Sequence, residues 1–229
     1  MSPLNIPIPG HRPIEVVEYY PEFESYYLGA ELQTKGWAVR NIKQDWVVID
    51  VGANIGYFTI LFARLASQGK VYAVEPTRTM DMCQHNVQHA QLTNVVFKKV
   101  AIGSKSGTLT DSIYVIWGKP PEKCPYPFLT LDDLVAQEKI DCLDLVKIDT
   151  DGFDVEALQG AVKTLREKNP WIIVELNSTA LRLRGKKQTD AIAFMKSQGY
   201  TSYSVLDGEN YLFKRGHRLI KQKDSNRFH

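Results

Sequence analysis

The fold of this chain is predicted most directly by one segment, Val47-Val48-Ile49-Asp50-Val51-Gly52-Ala53-Asn54-Ile55-Gly56. Its β-branched apolar residues surround a single acid, which predicts a strand buried on both faces of a parallel sheet. A Gly-x-Asn-x-Gly turn follows, and the apolar run from Tyr57 to Ala66 predicts a buried helix. A strand, a glycine turn and a helix in this order are typical of an α/β sheet that binds a nucleotide-like cofactor.

The composition predicts one globular domain with short extensions. The chain has 229 residues, 44% of them hydrophobic, and its net charge of +2 gives no reason to expect a nucleic-acid partner. Three cysteines (Cys83, Cys124, Cys142) without metal-type spacing fit a reducing compartment, so we expect a cytoplasmic protein. The N-terminus shows no signal-peptide pattern, and the apolar run 51–63 is too short to span a bilayer.

The chain divides into three predicted regions. Residues 1–45 form an N-terminal extension, residues 46–215 the main domain, and residues 216–229 a basic tail. The first 13 residues contain four prolines and are predicted to be irregular. Residues 14–40 are rich in aromatics, which predicts short helices that either pack on the sheet edge or form a lid over a substrate pocket. Both interpretations remain open.

From Trp46 onward, strand-like and helix-like segments alternate. Residues 103–128 interrupt this rhythm and predict a long loop or insertion with a short strand or hairpin around Ile113–Trp117. Asp207-Gly208 predicts a closing hairpin. The pattern indicates an α/β fold with a doubly wound, mostly parallel sheet that closes with an antiparallel hairpin. The remaining strands are predicted at 71–74, 95–102, 143–148, 171–174, 201–206 and 211–214, and helices at 78–91, after an N-cap at Thr130, at 152–167 and at 188–198.

Three of the predicted strands carry an acid at their carboxyl ends, where such sheets bind ligands. Asp50 stands beside the glycine turn, and Asp149 ends a later strand. Glu75 follows Gly56 by 19 residues, a spacing that favours a carboxylate accepting hydrogen bonds from ribose hydroxyls. The turn itself disfavours a pyrophosphate, because Asn54 replaces the middle glycine and an acid precedes it. S-adenosylmethionine, with an ammonium, a sulfonium and no phosphate, fits better than NAD.

Five motif blocks in order carry a family resemblance: Asp50-Val-Gly52-Ala-Asn54-Ile-Gly56-Tyr-Phe, Ala73-Val-Glu75-Pro76, Leu131-Asp132-Asp133, Lys147-Ile-Asp149-Thr-Asp151-Gly152-Phe-Asp154 and Ile173-Val-Glu175. Together they resemble the FkbM family of S-adenosylmethionine-dependent methyltransferases. The resemblance implies a class I, Rossmann-like fold with a seven-stranded sheet, and O-methylation of a hydroxyl on a sugar or natural product. The chain departs from the family's commoner Lys-Ile-Asp-Val-Glu-Gly-x-Glu at Thr150, Asp151 and Asp154.

Candidate site residues follow from the blocks and the chemistry. Asp149 is the first candidate for the base that takes the acceptor's proton, and Glu175 is the second. Lys147 lies on the same strand face as Asp149 and either orients this acid or neutralises its charge. Asp151 and Asp154 have the spacing of an N-cap and N3 pair. Predicted cofactor contacts are Asp50, Gly52, Ala53, Asn54, Gly56, Tyr57, Glu75, Pro76, Ala101 and Asp149.

Two further features leave alternatives open. A Mg²⁺ site formed by Asp149, Glu175 and Asn177 is the less favoured catalytic arrangement, and no metal site is assigned. The segment 182–187 is predicted to be a loop with four basic residues (Arg182, Arg184, Lys186, Lys187), which either faces solvent or binds an anionic acceptor.

Three functions are weighed against one another. The favoured one is O-methylation of a small-molecule acceptor, glycosylated or anionic. The alternatives are an inactive S-adenosylmethionine-binding subunit and an N-methyltransferase. N-methylation of bases is disfavoured because Asp149 does not begin an Asp-Pro-Pro-Tyr/Phe motif. Neither a nucleic-acid partner nor a membrane span is expected, and the oligomeric state is not predicted.

Overall fold

A seven-stranded sheet lies at the centre of the computed structural model, which describes residues 2–116 and 118–214. The predicted basic tail 216–229 lies outside the described residues. The helices are α1 (Glu24–Gly29), α2 (Leu32–Asn41), α3 (Tyr57–Leu65), α4 (Thr79–His89), α5 (Leu131–Gln137), α6 (Asp154–Gln159), α7 (Val162–Glu167), α8 (Ser178–Leu183) and α9 (Gln188–Ser197). The strands are β1 (Leu4–Ile8), β2 (His11–Val16), β3 (Val47–Val51), β4 (Lys70–Val74), β5 (Val95–Lys98), β6 (Ala101–Ile102), β7 (Gly107–Ile113), β8 (Glu122–Leu129), β9 (Leu145–Ile148), β10 (Trp171–Glu175), β11 (Ser202–Val205) and β12 (Asn210–Lys214).

The strand order of the central sheet is β11-β12-β10-β9-β3-β4-β5. Strand β12 is antiparallel to both of its neighbours, and the other pairs are parallel. The predicted doubly wound sheet with a closing antiparallel hairpin is therefore confirmed. The chain leaves β3 in one direction towards β4 and β5 and returns on the other side as β9 and β10. The strand order thus reverses between β3 and β9, where such sheets bind ligands.

Strand β3 separates two hydrophobic cores, because successive side chains of a strand point to opposite faces of its sheet. Val48 packs with α3 and α4 on one face, and Ile49 packs with α5, α6, α7 and α9 on the other. Both side chains are fully buried. This two-sided burial explains the continuous apolar pattern of the strand. No described helix is long and apolar enough to cross a membrane.

The N-terminal residues form a hairpin, so the prediction that the first 13 residues are irregular is wrong. Strands β1 and β2 pair antiparallel, and the register shifts at Pro7, between Ile6 and Ile8. Ile6 and Ile14 are fully buried against the first core. The alternation of buried and exposed residues in β1 is a strand pattern. Its prolines obscured that pattern, although an edge strand tolerates proline at an irregular position.

The segment after β4 also differs from its prediction. The single strand predicted at 95–102 is two strands in different sheets, since β5 joins the central sheet and β6 pairs with β8. Residues 103–128 do form an insertion with a hairpin, but β7 ends at Ile113 instead of beginning there. Strands β6, β8 and β7 form a separate three-stranded sheet. The prediction of a strand from Ile113 to Trp117 is therefore wrong, because residues 114–116 are not in a strand.

Two helix predictions need correction as well. The helix predicted at 152–167 is two helices, α6 and α7, because the backbone breaks at Gly160 to pack on the neighbouring loop. A Cβ atom at Gly160 would lie 2.1 Å from the carbonyl oxygen of Gly103. Helix α8, which begins after Asn177, includes Arg182 and Leu183, so the predicted basic loop is confirmed only for residues 184–187. The N-cap predicted at Thr130 is confirmed, since its Oγ1 accepts a hydrogen bond from the Asp133 N–H at 3.0 Å.

Candidate active site

A cavity of about 320 Å³ opens where β3 and β9 end side by side. Its volume is at the lower end of the range typical of small-molecule sites. The turn after β3 and the ends of β4, β9 and β10 form the floor of the cavity. The N-terminal extension covers it with aromatic side chains, and the segment after β7 closes one side. The reversal of strand order and this cavity therefore coincide.

Gly52 is required by the close approach of β3 to the residue after β9. Its φ is +80°, and a Cβ atom there would lie 1.7 Å from the carbonyl oxygen of Asp149. An L side chain would meet both the steric penalty of left-handed geometry and a backbone collision. Asn54 also has a left-handed φ of +49°, a conformation that asparagine tolerates. Both residues line the cavity.

The N–H groups of the glycine turn are all used within the protein. Gly52 and Ala53 both donate to the carbonyl oxygen of Val74, at 2.8 and 3.0 Å. Asn54 donates to Glu75 Oε2 at 3.1 Å, and Ile55 donates to Asn54 Oδ1 at 2.8 Å. A phosphate-binding turn needs such groups to be free. This turn therefore offers a ligand a close backbone surface and no anion site.

Glu75 lies next to the turn with one acceptor position left. Its Oε1 accepts hydrogen bonds from the backbone N–H and the hydroxyl of Thr77, at 3.0 and 2.7 Å. Its Oε2 accepts one, from Asn54. Burial raises the pKa of Glu75, and these hydrogen bonds oppose the increase. Each carboxylate oxygen has two lone pairs, so Oε2 can accept one further donor.

Two predicted cofactor contacts do not line the cavity. Asp50 is fully buried behind the turn, where its Oδ2 accepts a hydrogen bond from Thr59 Oγ1 at 2.6 Å. Gly56 is followed by α3, and a Cβ atom there would lie 2.6 Å from Cys83 Sγ. Both residues thus shape the turn from below, and direct contact with a ligand in the cavity is not available to them. The spacing could not distinguish these roles because both lie within one motif.

Lys147 is a buried cation at the floor of the site. Its ammonium is 2.7 Å from Asp149 Oδ2, and its side chain is 2% exposed. It also stands 4.5 Å from the centre of the Phe58 ring. Burial alone would lower the pKa of Lys147, but the carboxylates of Asp149, Glu31 and Asp50 outweigh burial and raise it. The predicted contact between Lys147 and Asp149 is therefore formed, and the ammonium stays charged.

Three carboxylates meet above Lys147. Oxygen atoms of Asp149, Asp151 and Glu175 all lie within 4.8 Å of one another. The nearby charge of Asp149, followed by burial, raises the pKa of Glu175 well above its usual range. Burial and the same neighbour raise the pKa of Asp151. No residue of the described part of the chain donates a hydrogen bond to the side chains of Asp151 or Glu175.

Asp154 holds the loop that places Asp151 in the cavity. Its Oδ1 accepts hydrogen bonds from the N–H and hydroxyl of Thr150, at 2.9 and 2.8 Å, and its Oδ2 accepts one from the Gly152 N–H at 3.0 Å. Burial raises the pKa of Asp154 to about 6. Because α6 begins at Asp154, the predicted N-cap role of Asp151 is wrong. Asp151 instead has a left-handed φ of +49° and lines the cavity.

Asn177, a predicted ligand of the less favoured Mg²⁺ site, uses its side-chain oxygen to cap a helix instead. Asn177 Oδ1 accepts hydrogen bonds from the N–H groups of Thr179 and Ala180, at 3.0 and 2.9 Å, and so caps α8. Among the basic residues of the following segment, Arg184 stacks 3.4 Å over the Phe153 ring and pairs with Asp111. None of the four predicted basic residues lines the cavity. Of the two interpretations left open, an anion-binding clamp is not formed.

A buried acid that the sequence motifs do not include, Glu31, lies next to Tyr57. Tyr57, which lines the cavity, donates its hydroxyl proton to Glu31, and Asn210 Nδ2 donates to the same carboxylate at 3.2 Å. Glu31 has a left-handed φ of +56° and is 8% exposed. Its only sequence signal is an acid inside an aromatic segment, and nothing there indicates its partners. The aromatic residues that cover the cavity are Tyr20, Phe23, Tyr26 and Tyr27.

The sheet order and the position of the cavity define an α/β methyltransferase of the class I, Rossmann-like type. The methyltransferase FkbM domain matches residues 50–202. This match covers more than half of the chain, and the protein belongs to the FkbM methyltransferase family.

Two similar proteins extend this assignment. The chain is 27% identical over 143 residues to the hexuronic acid methyltransferase AglP of Haloferax volcanii, a region covering 59% of this chain and 58% of AglP. The crystal structure of methyltransferase FkbM from Methylobacillus flagellatus KT matches with a TM-score of 0.54 and 14% identity, over 83% of this chain and 52% of that one. The chain thus spans a little over half the length of each. The comparisons therefore show the family, and the likeness of the crystal structure concerns the fold alone.

Proposed function

We propose that the protein transfers a methyl group from S-adenosylmethionine to a hydroxyl of a small molecule, with a sugar or a glycosylated compound as the acceptor class. The arrangement around Gly52 carries this proposal. The turn offers no free N–H group to a phosphate, while two carboxylates, Glu75 and Asp149, line the cavity beside it. A donor with a ribose diol, a positive charge and no phosphate matches these groups.

Each end of the donor has residues suited to it. The open acceptor position on Glu75 suits a ribose hydroxyl, and the apolar surfaces of Pro76 and Ala101 suit an adenine ring. The remaining lining of the turn, Ala53, Asn54 and Tyr57, would contact the rest of the donor. Asp149 would stand nearest to the positive sulfur and the amino-acid end. Asp50 would act indirectly, through its charge on Lys147.

The transfer would be a displacement at the methyl carbon. S-adenosylmethionine would supply the methyl group to the acceptor oxygen, and its sulfur would keep the electron pair of the broken carbon–sulfur bond as a neutral thioether. The acceptor's proton passes to a carboxylate as the oxygen attacks. Asp149 is the first candidate for this base, because it follows β9 where the strand order reverses and Lys147 holds one of its oxygens at 2.7 Å, and Glu175 is the second candidate. Much of the rate would come from holding the oxygen in line with the carbon–sulfur bond.

Lys147 would act as a positioning residue. Its ammonium holds one oxygen of Asp149 at 2.7 Å and leaves the other free to face the acceptor. The ammonium is also surrounded by Asp50 and Glu31, which keep it charged. Removing Lys147 would leave several buried carboxylates without a counter-charge.

The N-terminal extension, residues 1–45, would serve as the lid predicted from its aromatic content. Tyr20, Phe23, Tyr26 and Tyr27 cover the cavity. The far end of this segment is anchored to the main domain, because Asp207 accepts hydrogen bonds from the backbone of Gln33 and Thr34 at 3.0 and 2.6 Å. An anchored helix behind the aromatic segment would let the roof close over bound ligands and exclude water.

The acceptor class rests on the similarity to the archaeal hexuronic acid methyltransferase, whose acceptor is a sugar acid by name. A hydroxyl-rich ring would fit a cavity with polar acids on one side and aromatic faces on the other. Aromatic rings suit the apolar faces of sugars, and carboxylates accept from their hydroxyls. These features support a sugar-like acceptor.

Direct transfer without a metal is the favoured mechanism. Mg²⁺ remains the alternative, and its ligands would be Asp149, Asp151 and Glu175, because Asn177 is committed to α8. Dialysis against EDTA separates the two mechanisms. We expect full turnover after EDTA treatment, and a loss restored by Mg²⁺ would favour the metal.

Calorimetry with the full chain tests the donor. S-adenosylmethionine and its demethylated product should both bind, and an absence of binding would refute the proposal. Mass spectrometry of a panel of hydroxylated acceptors should then show a gain of one methyl group on oxygen. Methylation only on nitrogen would favour an N-methyltransferase. Donor binding without turnover on any acceptor would favour the inactive subunit.

A further inference from the structure

The end of the cavity around Asp149, Asp151 and Glu175, the proposed acceptor side, has more acidic than basic side chains. Five carboxylates line the cavity, and Lys147 is the only cationic side chain among the described lining residues. Its ammonium is buried and already engaged by Asp149. S-adenosylmethionine would add one net positive charge, from a sulfonium, an ammonium and a carboxylate. The lining carboxylates are Glu75, Asp149, Asp151, Glu175 and Glu209.

Asp151 and Glu175 are the acids without partners. Glu75 accepts three hydrogen bonds, Asp149 is held by Lys147, and Glu209 accepts hydrogen bonds from Asn177 and Ser178. No described residue donates a hydrogen bond to Asp151 or to Glu175, although their oxygens lie within 4.8 Å of each other and of Asp149. Carboxylates this close repel one another unless a proton or a cation lies between them.

Aromatic rings that line the same cavity are compatible with a cationic ligand. Tyr26, Tyr57 and Phe153 line the same cavity, and a ring face attracts an ammonium group within about 6 Å. The chain already uses this contact internally, because Lys147 lies over Phe58 and Lys35 lies over Tyr57. Acids together with aromatic faces are the usual surroundings of an ammonium ligand.

An anionic acceptor finds no partner on this lining. Arg184, which contacts the lining residue Phe153, stacks on its ring and pairs with Asp111 and Glu156 without lining the cavity. A sugar acid would therefore place its carboxylate beside Asp149, Asp151 and Glu175, where no described lining cation is free to pair with it. The cavity differs in this respect from what the name of the hexuronic acid methyltransferase implies for that protein's acceptor.

We infer that the acceptor is a hydroxylated molecule carrying a protonated amine, such as an amino sugar, and that Asp151 and Glu175 bind the amine. The inference rests on the proposed methyl transfer to a hydroxyl and names the acceptor within that class. The ammonium would lie between the two acids, and Asp149 would face the neighbouring hydroxyl. These acids would thus select the acceptor, while Asp149 would take its proton.

A matched sugar panel tests this inference by binding. The full chain, saturated with S-adenosylhomocysteine, is titrated with methyl glucosaminide, methyl N-acetylglucosaminide, methyl glucoside and methyl glucuronide. We expect the glucosaminide to bind at least about tenfold more tightly than the N-acetylated and neutral sugars, and the glucuronide to bind weakest. The preference should decline as salt is raised.

Two conservative variants assign the effect. In the Asp151→Asn, Glu175→Gln double variant, the preference for the glucosaminide should fall to within about twofold of the neutral sugar, with binding of S-adenosylhomocysteine retained. Glu167→Gln removes an exposed acid elsewhere and should leave the preference unchanged. If the double variant does not fold, circular dichroism will show it, and either single variant should reduce the preference by severalfold.

Several outcomes would overturn the inference. They are undetectable binding of the glucosaminide, equal binding of all four sugars, and tighter binding of the glucuronide. Mg²⁺ alone binding tightly to the parent chain but not to the double variant would assign the acids to a metal. Failure of S-adenosylhomocysteine to bind would count against the proposed donor, and the sugar titration is then read with the donor-free chain, so the two failures are distinguishable.

Discussion

The cavity has a proposed donor half around Gly52 and Glu75 and a proposed acceptor half around Asp151 and Glu175. The two halves differ in how many of their polar groups have hydrogen-bond partners within the protein. In the donor half, the N–H groups of the Gly52 turn and three acceptor positions of Glu75 have partners within the protein. In the acceptor half, Asp151 and Glu175 have no hydrogen-bond donor among the described residues. A half whose groups are already paired has one stable geometry before any ligand arrives. A half whose acids have no donor among the described residues would gain its partners from the ligand, and there we expect specificity to arise.

The largest effect is expected from a substitution at Gly52, where the turn after β3 approaches the backbone of Asp149 most closely. Gly52→Ala should destabilise the protein by about 4 kcal/mol or more, because its Cβ would lie 1.7 Å from the Asp149 carbonyl oxygen. Denaturant unfolding measures this change. Gly185→Ala is the control, with a φ of +69° and nothing within 4 Å, and should cost only about 1–2 kcal/mol. Similar losses in both variants would mean that the close contact is unimportant.

The next effect concerns the acid between the two halves. Asp149→Asn should lower kcat by on the order of 100-fold or more, because an amide cannot take the acceptor's proton. The affinity for S-adenosylhomocysteine should change only severalfold. Steady-state kinetics and calorimetry on the same preparation separate the two effects. If the variant turns over nearly as fast as the parent, Asp149 is not the base and Glu175 becomes the first candidate.

A smaller effect is expected from Glu75→Gln in the donor half. The amide loses one charged acceptor for a ribose hydroxyl and places an NH₂ group near the Asn54 or Thr77 donors. The Kd for S-adenosylmethionine should rise about tenfold, in line with the strength of a hydrogen bond to a charged group. The Kd for acceptor sugars should not change. An unchanged Kd for S-adenosylmethionine would mean that Glu75 does not bind the donor.

The smallest effect is a gain in stability in the acceptor half. The pKa of Glu175 is raised in the folded state, so its stabilising contribution is complete below its unfolded pKa, near 4.5, and is lost as pH rises through the raised folded pKa. Glu175→Gln should therefore match the parent near pH 4 and be more stable at pH 8, by roughly 1 kcal/mol or about 2–4 °C in Tm. Thermal scans of the ligand-free chain at both pH values measure it. A destabilised variant at pH 8 would show that the carboxylate has a partner in the fold.

Periodicity predicted the central sheet well. The apolar runs of β3, β4, β9 and β10 are buried on both faces, so their sequence alone indicates parallel strands. The hairpin β1–β2 and the separate sheet β6-β8-β7 were harder to predict. Their prolines resemble loop signals, and Ala101 of β6 pairs with Phe128 of β8, which lies far along the chain. The break between α6 and α7 depends on contact of Gly160 with Gly103, which no local pattern indicates.

The donor half of the site was also largely predictable, because its residues lie in short motifs at fixed spacing. Gly52, Asn54 and Glu75 were all placed at the cavity correctly. Asp50 and Gly56 belong to the same motif but lie behind it, since side chains of one turn point in different directions. Asp151 was misassigned because an Asp-x-x-Asp pattern is common at helix starts, and only the observed start of α6 excludes that role.

The sequence by itself determined the class of fold and the family, and it predicted which motif residues would line the cavity, because those depend on periodicity and on motifs within short segments. Tertiary structure decided which groups have partners. Burial and distance show that Lys147 is engaged by Asp149 and that Arg184 is engaged outside the cavity. They also show that Asp151 and Glu175 face the cavity together. Charge balance in a site is a property of residues distant in the chain and close in space, and it is the basis for the proposed amine-bearing acceptor.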